Sequence, residues 1–193
     1  LLVLENTHNG KVLGLDYMAQ ASEFARRHGL LLHLDGARVF NAATALGVEV
    51  KEIVRHVDSV SVCFSKGLGA PVGSLLCGSG PFIAAAKRWR KMAGGGLRQA
   101  GVLAAAIDYA LDHHVDRLRY DHAHAKRMAQ ALSEIDAITL TSSQTNMVFI
   151  ELPDEDIGVK LGQFLAERGV NVLGGKRMRL VTHLDISAAD TDT

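Results

Sequence analysis

Short apolar runs alternate with segments of helical spacing through the first half of the chain. The apolar runs predict strands at 1–5, 30–34, 58–64 and 71–78. The segments with apolar residues at helical spacing predict helices at 15–28, 39–46, 48–56 and 81–92. Alternating strands and helices are typical of βαβ units, whose parallel strands form one sheet. We therefore expect the chain to begin with an α/β sheet.

The pattern changes after residue 97. Residues 98–133 are rich in Ala and Leu and predict two helices that meet near His114. The segments that follow predict, in the order β-β-α-β-β, elements at 137–141, 146–151, 156–168, 170–173 and 178–182. This order indicates a smaller α+β domain, so we expect domains at 1–119 and 120–193. Because the first strand has no preceding turn, and the last residues are typical of a first helical turn, we expect the chain to be part of a longer one.

Composition narrows the function classes. Of 193 residues, 48% are hydrophobic, 5% are aromatic and the formal net charge is zero. A neutral chain with few aromatic residues has little attraction for nucleic acid or for an anionic membrane surface, so we expect neither partner. Cys63 and Cys77 form no CxxC pair and lie in apolar runs, which favours buried, reduced thiols in a cytoplasmic protein.

Two polar residues follow apolar runs and carry the candidate chemistry. Asp35 and Lys66 each stand at the end of a predicted strand, beside glycine. Ligands of open α/β sheets bind beyond the carboxyl ends of the strands. A lysine and a carboxylate placed there match pyridoxal phosphate (PLP), since the amine forms an imine and the acid keeps the pyridine nitrogen protonated. The alternatives are a surface lysine in a turn and an aspartate that caps the next helix.

Four further residues are candidates for the same site. His8 follows a third strand, where it could act as a general base or be a solvated loop residue. Ala37 is small enough for a flat ring to lie against it, and Arg38 could hold a phosphate or phenolic oxygen or be solvated. Arg179 lies within an apolar strand, where a buried guanidinium needs an anion. That anion could be a substrate carboxylate or a structural partner.

Three other clusters carry no site. The basic run at 87–91 predicts a solvated helix face rather than a nucleic-acid patch. The histidines at 113, 114, 122 and 124 lack the spacing that joins two of them on one metal, so we expect no metal site. The glycines at 94–96 match neither a P-loop nor a dinucleotide fingerprint.

Several long strings of the chain, in order, resemble the low-specificity L-threonine aldolases, which are PLP enzymes of fold type I. The matching strings are ENTHNG (5–10), HLDGARVFNA (33–42), SKGLGAPVGS (65–74), RWRKM (88–92), GGGLRQ (94–99) and RLVTHLD (179–185). The resemblance implies an α/β fold in which 1–119 is part of the PLP-binding large domain and 120–193 is a small α+β C-terminal domain. It also implies a preceding portion with a phosphate cradle and a ring-stacking histidine, without which we expect weak PLP binding and no activity.

The resemblance also implies roles for single residues. Lys66 would be the Schiff-base lysine and Asp35 the partner of the pyridinium, with Ala37 on the ring face and Arg38 in contact with the cofactor. Arg179 would hold the carboxylate of the amino-acid substrate. His8 would lie near the substrate hydroxyl.

Lys91 and Arg98 would lie near a subunit interface of a homo-oligomer, with Arg98 reaching a partner's cofactor phosphate. The implied activity is retro-aldol cleavage of threonine and allo-threonine to glycine and an aldehyde. Two alternatives stay open, namely another fold type I lyase or aminotransferase, and an inactive fragment that serves as an assembly module.

Overall fold

A computed structural model describes residues 1–192, which divide into two compact units. The first consists of residues 1–8 and 12–118, and the second of residues 9–11 and 119–192. Assigning these units to a PLP-binding large domain and a small C-terminal domain stays a prediction. No helix in the described part of the chain is long and apolar enough to cross a membrane.

The first unit contains four strands and five complete helices. The strands are β1 (Leu2–Glu5), β2 (Leu32–Gly36), β3 (Ser59–Cys63) and β4 (Ser74–Gly78). The helices are α1 (Leu15–Arg27), α2 (Val39–Leu46), α3 (Val50–Val54), α4 (Gly80–Met92) and α5 (Gly101–His113). The four strands form one sheet in this order, with β1, β2 and β3 parallel and β4 antiparallel to β3. The expected α/β sheet is therefore present, as a mixed sheet.

The core of this unit follows from the apolar periodicity. Met18 of α1, Leu34 of β2, Val39 of α2 and Ile53 of α3 are fully buried in one cluster. Burying a side chain of this size stabilises the fold by about 1.5–3 kcal/mol. Helix α2 ends at Gly47, whose φ of 67° is a left-handed conformation that glycine adopts without strain.

Two strand predictions in this unit need correction. The strand expected at 30–34 runs from Leu32 to Gly36, so Asp35 lies on the strand rather than in a loop. The strand expected at 71–78 begins at Ser74, and all five of its residues are exposed. Cys77 on this strand is accordingly exposed and Cys63 is half-buried, so the expectation of two buried thiols is wrong; both are free cysteines. No described residue buries the apolar side chains of β4. Hydropathy alone does not reveal this exposure.

The second unit packs two helices on an antiparallel sheet. Its elements are α6 (Leu118–Leu132), β5 (Thr139–Gln144), β6 (Met147–Glu151), α7 (Glu155–Ala166), β7 (Arg177–Val181) and a 3-10 turn (Asp190–Asp192). The strand order is β5-β6-β7. Ala125 of α6, Ile150 of β6 and Met178 of β7 share one buried cluster. Helix α7 begins after Asp154, whose carboxylate accepts a hydrogen bond from the Ile157 amide at 2.8 Å.

The strand expected at 170–173 does not form. The next two residues, Gly174 and Gly175, pass so close to α7 that a Cβ on Gly158 would lie 2.1 Å from the Gly175 carbonyl oxygen. Only glycine on both segments permits that approach. The chain after α7 therefore packs on the helix, and Val172 joins the core without pairing in a sheet.

Candidate active site

Three candidate residues lie at, or three residues beyond, the carboxyl ends of strands in the first sheet. Strands β1, β2 and β3 are parallel, so their carboxyl ends lie together. Asp35 is the register partner of Glu5 on one side and of Ser61 on the other. His8 follows β1 by three residues and Lys66 follows β3 by three residues. The strand ends therefore place His8, Asp35 and Lys66 at the same edge, as the sequence predicts.

Lys66 stands in a closed loop. The Phe64 carbonyl accepts from the Ala70 amide at 2.9 Å, and the Phe64 amide donates to the Gly73 carbonyl at 3.0 Å. The Lys66 carbonyl accepts from the Gly69 amide at 2.9 Å, which makes a tight turn. The Lys66 side chain is exposed. It forms no hydrogen bond or ion pair with residues 1–192, so its amine is available to a ligand.

The backbone next to Lys66 packs closely against side chains from other parts of the first unit. A Cβ on Gly67 would lie 2.8 Å from Asn41 Oδ1 and 3.1 Å from Leu118 Cδ2, which leaves room for hydrogen alone. Leu68 is buried, and its carbonyl accepts a 2.6 Å hydrogen bond from His114 Nδ1. Contacts with helix α2 and with the residues that follow α5 therefore restrict the position of the lysine loop.

Asp35 presents one carboxylate oxygen at the strand end. Its Oδ1 accepts from the Ala37 amide at 3.0 Å, and Oδ2 receives no hydrogen bond from the residues that the structure describes. Helix α2 has Arg38 at its N-cap and no side-chain capping bond, so the alternative in which Asp35 caps this helix is wrong. Ala37 and Arg38 are half-buried beside it.

His8 is paired with a carboxylate that the sequence analysis missed. Its Nδ1 lies 2.5 Å from Glu5 Oε2, and the imidazole is exposed. The available signal was a carboxylate three residues before a histidine at the end of a strand. That spacing has no fixed meaning in a loop, so only the fold shows the contact.

Cys63, the last residue of β3, also lies beside the lysine loop. Burial raises the pKa of its thiol, but hydrogen bonding with Ser65 and Ser74 and the charge of Lys66 outweigh burial and lower the pKa overall. Its Sγ lies 3.2 Å from Ser65 Oγ. The sequence favours a buried, reduced thiol here, and the position of Cys63 at the strand end is the signal that was available.

Arg179 and Arg98 do not belong to the strand ends of the first sheet. Arg179 belongs to the second unit, on β7, opposite Phe149 of β6. Met178 faces the core while Arg179 is exposed, so the expectation of a buried guanidinium is wrong; alternation along the strand puts it on the opposite face. Arg98 is exposed in the segment between α4 and α5.

Two expectations about surface groups can be compared with the structure. All five residues of the basic run at 87–91 are exposed in the single chain. Within residues 1–192, no group of three or more His, Cys, Asp or Glu side chains is arranged to hold a metal ion.

Comparison with known proteins identifies relatives of this chain. The sequence profile described as beta-eliminating lyase matches residues 1–155. A low specificity L-threonine aldolase of Escherichia coli K12 is 51% identical over 187 residues, which cover 97% of this chain and 56% of that protein. Low-specificity L-threonine aldolase 1 of Arabidopsis thaliana is 45% identical, covering 98% of this chain and 56% of that protein. The chain thus spans little more than half the length of these relatives.

Solved structures show the same fold. The threonine aldolase of Leishmania major superposes with a TM-score of 0.78 at 20% identity, over 98% of this chain and 57% of that one. A structure of SPT that contains PLP superposes with a TM-score of 0.75 at 20% identity, over 98% of this chain and 51% of that one. At these identities the likeness concerns the fold alone.

Proposed function

The chain belongs to the beta-eliminating lyase family, and on that premise we propose that the protein containing it is a PLP-dependent aldehyde-lyase. It would cleave L-threonine and L-allo-threonine to glycine and an aldehyde. One structural observation carries the proposal: Lys66 and Asp35 lie at the carboxyl ends of neighbouring strands in a chain 51% identical to a threonine aldolase. Because the chain spans 56% of that relative, the activity is proposed for the whole protein.

The residues at this edge fit PLP. The exposed amine of Lys66 would hold the cofactor's aldehyde, and Asp35 Oδ2 would keep the ring nitrogen protonated. Ala37 would lie against the ring, and Arg38 would contact the phosphate or phenolic oxygen. When bound, PLP supplies an electron sink for the bond that breaks.

Two residues would act on the substrate. Arg179 would hold the α-carboxylate through two parallel hydrogen bonds, which fixes the amino acid by one end. His8 would take the proton of the β-hydroxyl as the Cα–Cβ bond breaks. Lys66 and Asp35 are common to fold type I enzymes, and every amino acid has the carboxylate that Arg179 would bind. Of these four residues, His8 is therefore the one that bears on the choice of substrate.

The proposal extends to assembly and location. The protein would be a cytoplasmic homo-oligomer with active sites at its subunit interfaces, where Lys91 would lie and Arg98 would reach the cofactor phosphate of a partner. Residues 1–119 would be the C-terminal part of the PLP-binding large domain, and 120–193 an incomplete small domain. The exposed strand β4 and helix α4, which has no fully buried residue, support an interface on this side.

The first experiment measures products from the full-length protein. We expect acetaldehyde and glycine from threonine, and no keto acid from alanine. Lys66→Ala should abolish both threonine cleavage and the visible absorption of bound PLP, because the amine that holds the aldehyde is gone. Lys160→Ala, which removes an exposed helix lysine of the second unit, should change neither.

Three results would count against the proposal. Keto acid from alanine would favour an aminotransferase, and keto acid from serine a β-eliminating lyase. No product and no absorption after PLP addition would favour an assembly module. Unchanged absorption in Lys66→Ala would contradict the lysine assignment alone.

A further inference from the structure

We infer that Glu5 is a positioning residue that prepares His8 to act as the base, an inference that rests on the proposed aldolase function. The two side chains meet with 2.5 Å between Glu5 Oε2 and His8 Nδ1. Glu5 is the last residue of β1 and half-buried, so the sheet fixes the backbone that carries its carboxylate. The imidazole lies beyond it in the loop and is exposed.

The contact determines which nitrogen of His8 can accept a proton. An ionised carboxylate only accepts hydrogen bonds, so the neutral imidazole must carry its proton on Nδ1. The lone pair is then on Nε2, the atom away from Glu5. When Nε2 takes the hydroxyl proton, the ring becomes a cation beside the negative charge of Glu5, which stabilises it. Aspartate orients and stabilises the histidine of serine proteases in the same manner.

The sheet register places this pair beside the candidate cofactor site. Glu5 and Asp35 are register partners on neighbouring parallel strands, so both side chains project to the same face. Asp35 is already engaged with the Ala37 amide through Oδ1. The two adjacent carboxylates therefore have separate partners: Asp35 serves the ring nitrogen and Glu5 serves His8.

The Glu5–His8 pair is not needed to fix the loop that follows β1. The loop after β1 is held without it, since the Asn6 amide donates to the Asp35 carbonyl at 3.0 Å. The Asn6 side chain also exchanges two 3.1 Å hydrogen bonds with the backbone of Leu13. An exposed ion pair adds little stability to a segment that is fixed in this way. Orientation of the imidazole is what the pair supplies beyond these bonds.

The step transfers one proton from the β-hydroxyl of the substrate to His8. The O–H bond of the substrate breaks and its proton forms an N–H bond at His8 Nε2. The oxygen electron pair becomes the second bond of the aldehyde carbonyl, and the pair of the Cα–Cβ bond stays with the glycine fragment, which regains a proton at Cα. Glycine itself has no β-hydroxyl, so exchange of its α-proton with deuterated water needs no base at that position.

This difference between substrates gives the test in full-length protein. Glu5→Leu should lower kcat for threonine by about 10- to 100-fold, the range found for losing a group that orients a metal-ligating histidine. KM for threonine and the rate of α-proton exchange in glycine should stay unchanged. Glu5→Gln keeps an acceptor for Nδ1 and should restore part of the rate. Glu23→Leu, which removes an exposed carboxylate of α1, should behave as wild type.

A second readout does not depend on turnover. The nitrogen chemical shifts of isotope-labelled His8 report which ring nitrogen carries the proton. We expect the Nδ1–H form in wild type and in Glu5→Gln, and loss of that preference in Glu5→Leu. Adding Glu5→Leu to His8→Ala should cost no further activity, because Glu5 acts only through the imidazole.

The outcomes separate failure of the proposed aldolase function from failure of the inference that Glu5 positions His8. If wild type fails to cleave threonine but shows the Nδ1–H form, the proposed function fails and the pairing stands. An unchanged threonine kcat in Glu5→Leu, or an equal fall in threonine cleavage and glycine exchange, would overturn the inference, and so would an unchanged tautomer.

Discussion

At the residue scale, the loop of Lys66 depends on the absence of a side chain next to it. Gly67 is buried, and an alanine methyl there would approach Asn41 Oδ1 to 2.8 Å. Overpacking of this kind costs about 1–3 kcal/mol. We therefore expect Gly67→Ala to lower the free energy of unfolding by that amount, measured by denaturant titration. The visible absorption of bound PLP should also weaken, since the loop shifts to admit the methyl group.

Gly14→Ala is the matched control. Gly14 has a φ of −69°, which any residue adopts, and nothing lies within 4 Å of its ideal Cβ position. Because Gly14 is the N-cap of α1, where alanine is less favourable than glycine, alanine should lower stability by about 0.5 kcal/mol, less than at Gly67. Equal unfolding free energies for the two variants would show that the contacts at Gly67 do not constrain the loop.

Sequence pattern locates the residues of the site better than it describes their surroundings. A polar residue after an apolar run is enough to place His8, Asp35 and Lys66 at strand ends. Exposure is different, because the side chains that cover a residue come from distant parts of the chain. Arg179 is exposed for this reason, although its apolar strand predicts burial. Glu5 was missed because a strand-end contact has no sequence period.

At the element scale, a buried asparagine ties β7 to β6. Asn146 Nδ2 donates to the Thr182 carbonyl at 2.9 Å, and the Thr182 amide donates to the Asn146 carbonyl at 3.0 Å. Thr182 Oγ1 also donates to the Asp121 carbonyl of α6 at 2.6 Å. Both residues are almost fully buried. These bonds fix the end of the strand that carries Arg179.

Asn146→Ala should therefore destabilise the protein and weaken substrate binding. Leaving the buried Thr182 carbonyl without its donor costs about 1–3 kcal/mol. Because Arg179 lies three residues before Thr182, we also expect a higher KM for threonine with a smaller change in kcat. Thermal unfolding and initial-rate kinetics measure the two effects.

Asn171→Ala, at an exposed position before β7, provides the comparison. It should change neither stability nor KM. If Asn146→Ala lowers the melting temperature but leaves KM unchanged, the asparagine stabilises the unit without positioning Arg179.

Local pattern predicts most elements but not their partners. The helices 81–92 and 39–46 and the strand 1–5 are confirmed to within two residues, since each has a clear period and a stop signal. The segment 170–173 has the apolar character of a strand, but Gly174 and Gly175 bring the following chain onto α7. That close packing depends on glycines in both segments and has no local periodicity.

At the scale of the whole molecule, the two units are not separated by a single boundary in the sequence. Residues 9–11 belong to the second unit, where Thr145 Oγ1 donates to the Gly10 carbonyl at 2.9 Å. A Cβ on Gly10 would lie 2.9 Å from the Gln144 carbonyl oxygen. A contact over 135 positions leaves no local signal, which is why the sequence predicts one boundary near residue 120 and not this one.

The proposed sharing of sites between subunits is testable by mixing two inactive variants. Lys66→Ala lacks the amine, and Arg98→Ala would lack the partner's contact to the phosphate. In a mixed dimer, one of the two sites receives an intact Lys66 from one chain and an intact Arg98 from the other. With half of the dimers mixed, about a quarter of all sites are complete. We expect activity to return toward that level after co-refolding.

Mixing Lys66→Ala with Asp35→Asn is the decisive comparison. Asp35 and Lys66 lie on neighbouring strands of one sheet, so both reach a site from the same chain. Every site of this mixed dimer lacks one of them, and activity should stay absent. Recovery in the Arg98→Ala mixture alone would therefore mean that Arg98 crosses the interface. If hybrids form in both mixtures and neither recovers activity, Arg98 serves its own subunit and the shared site is excluded.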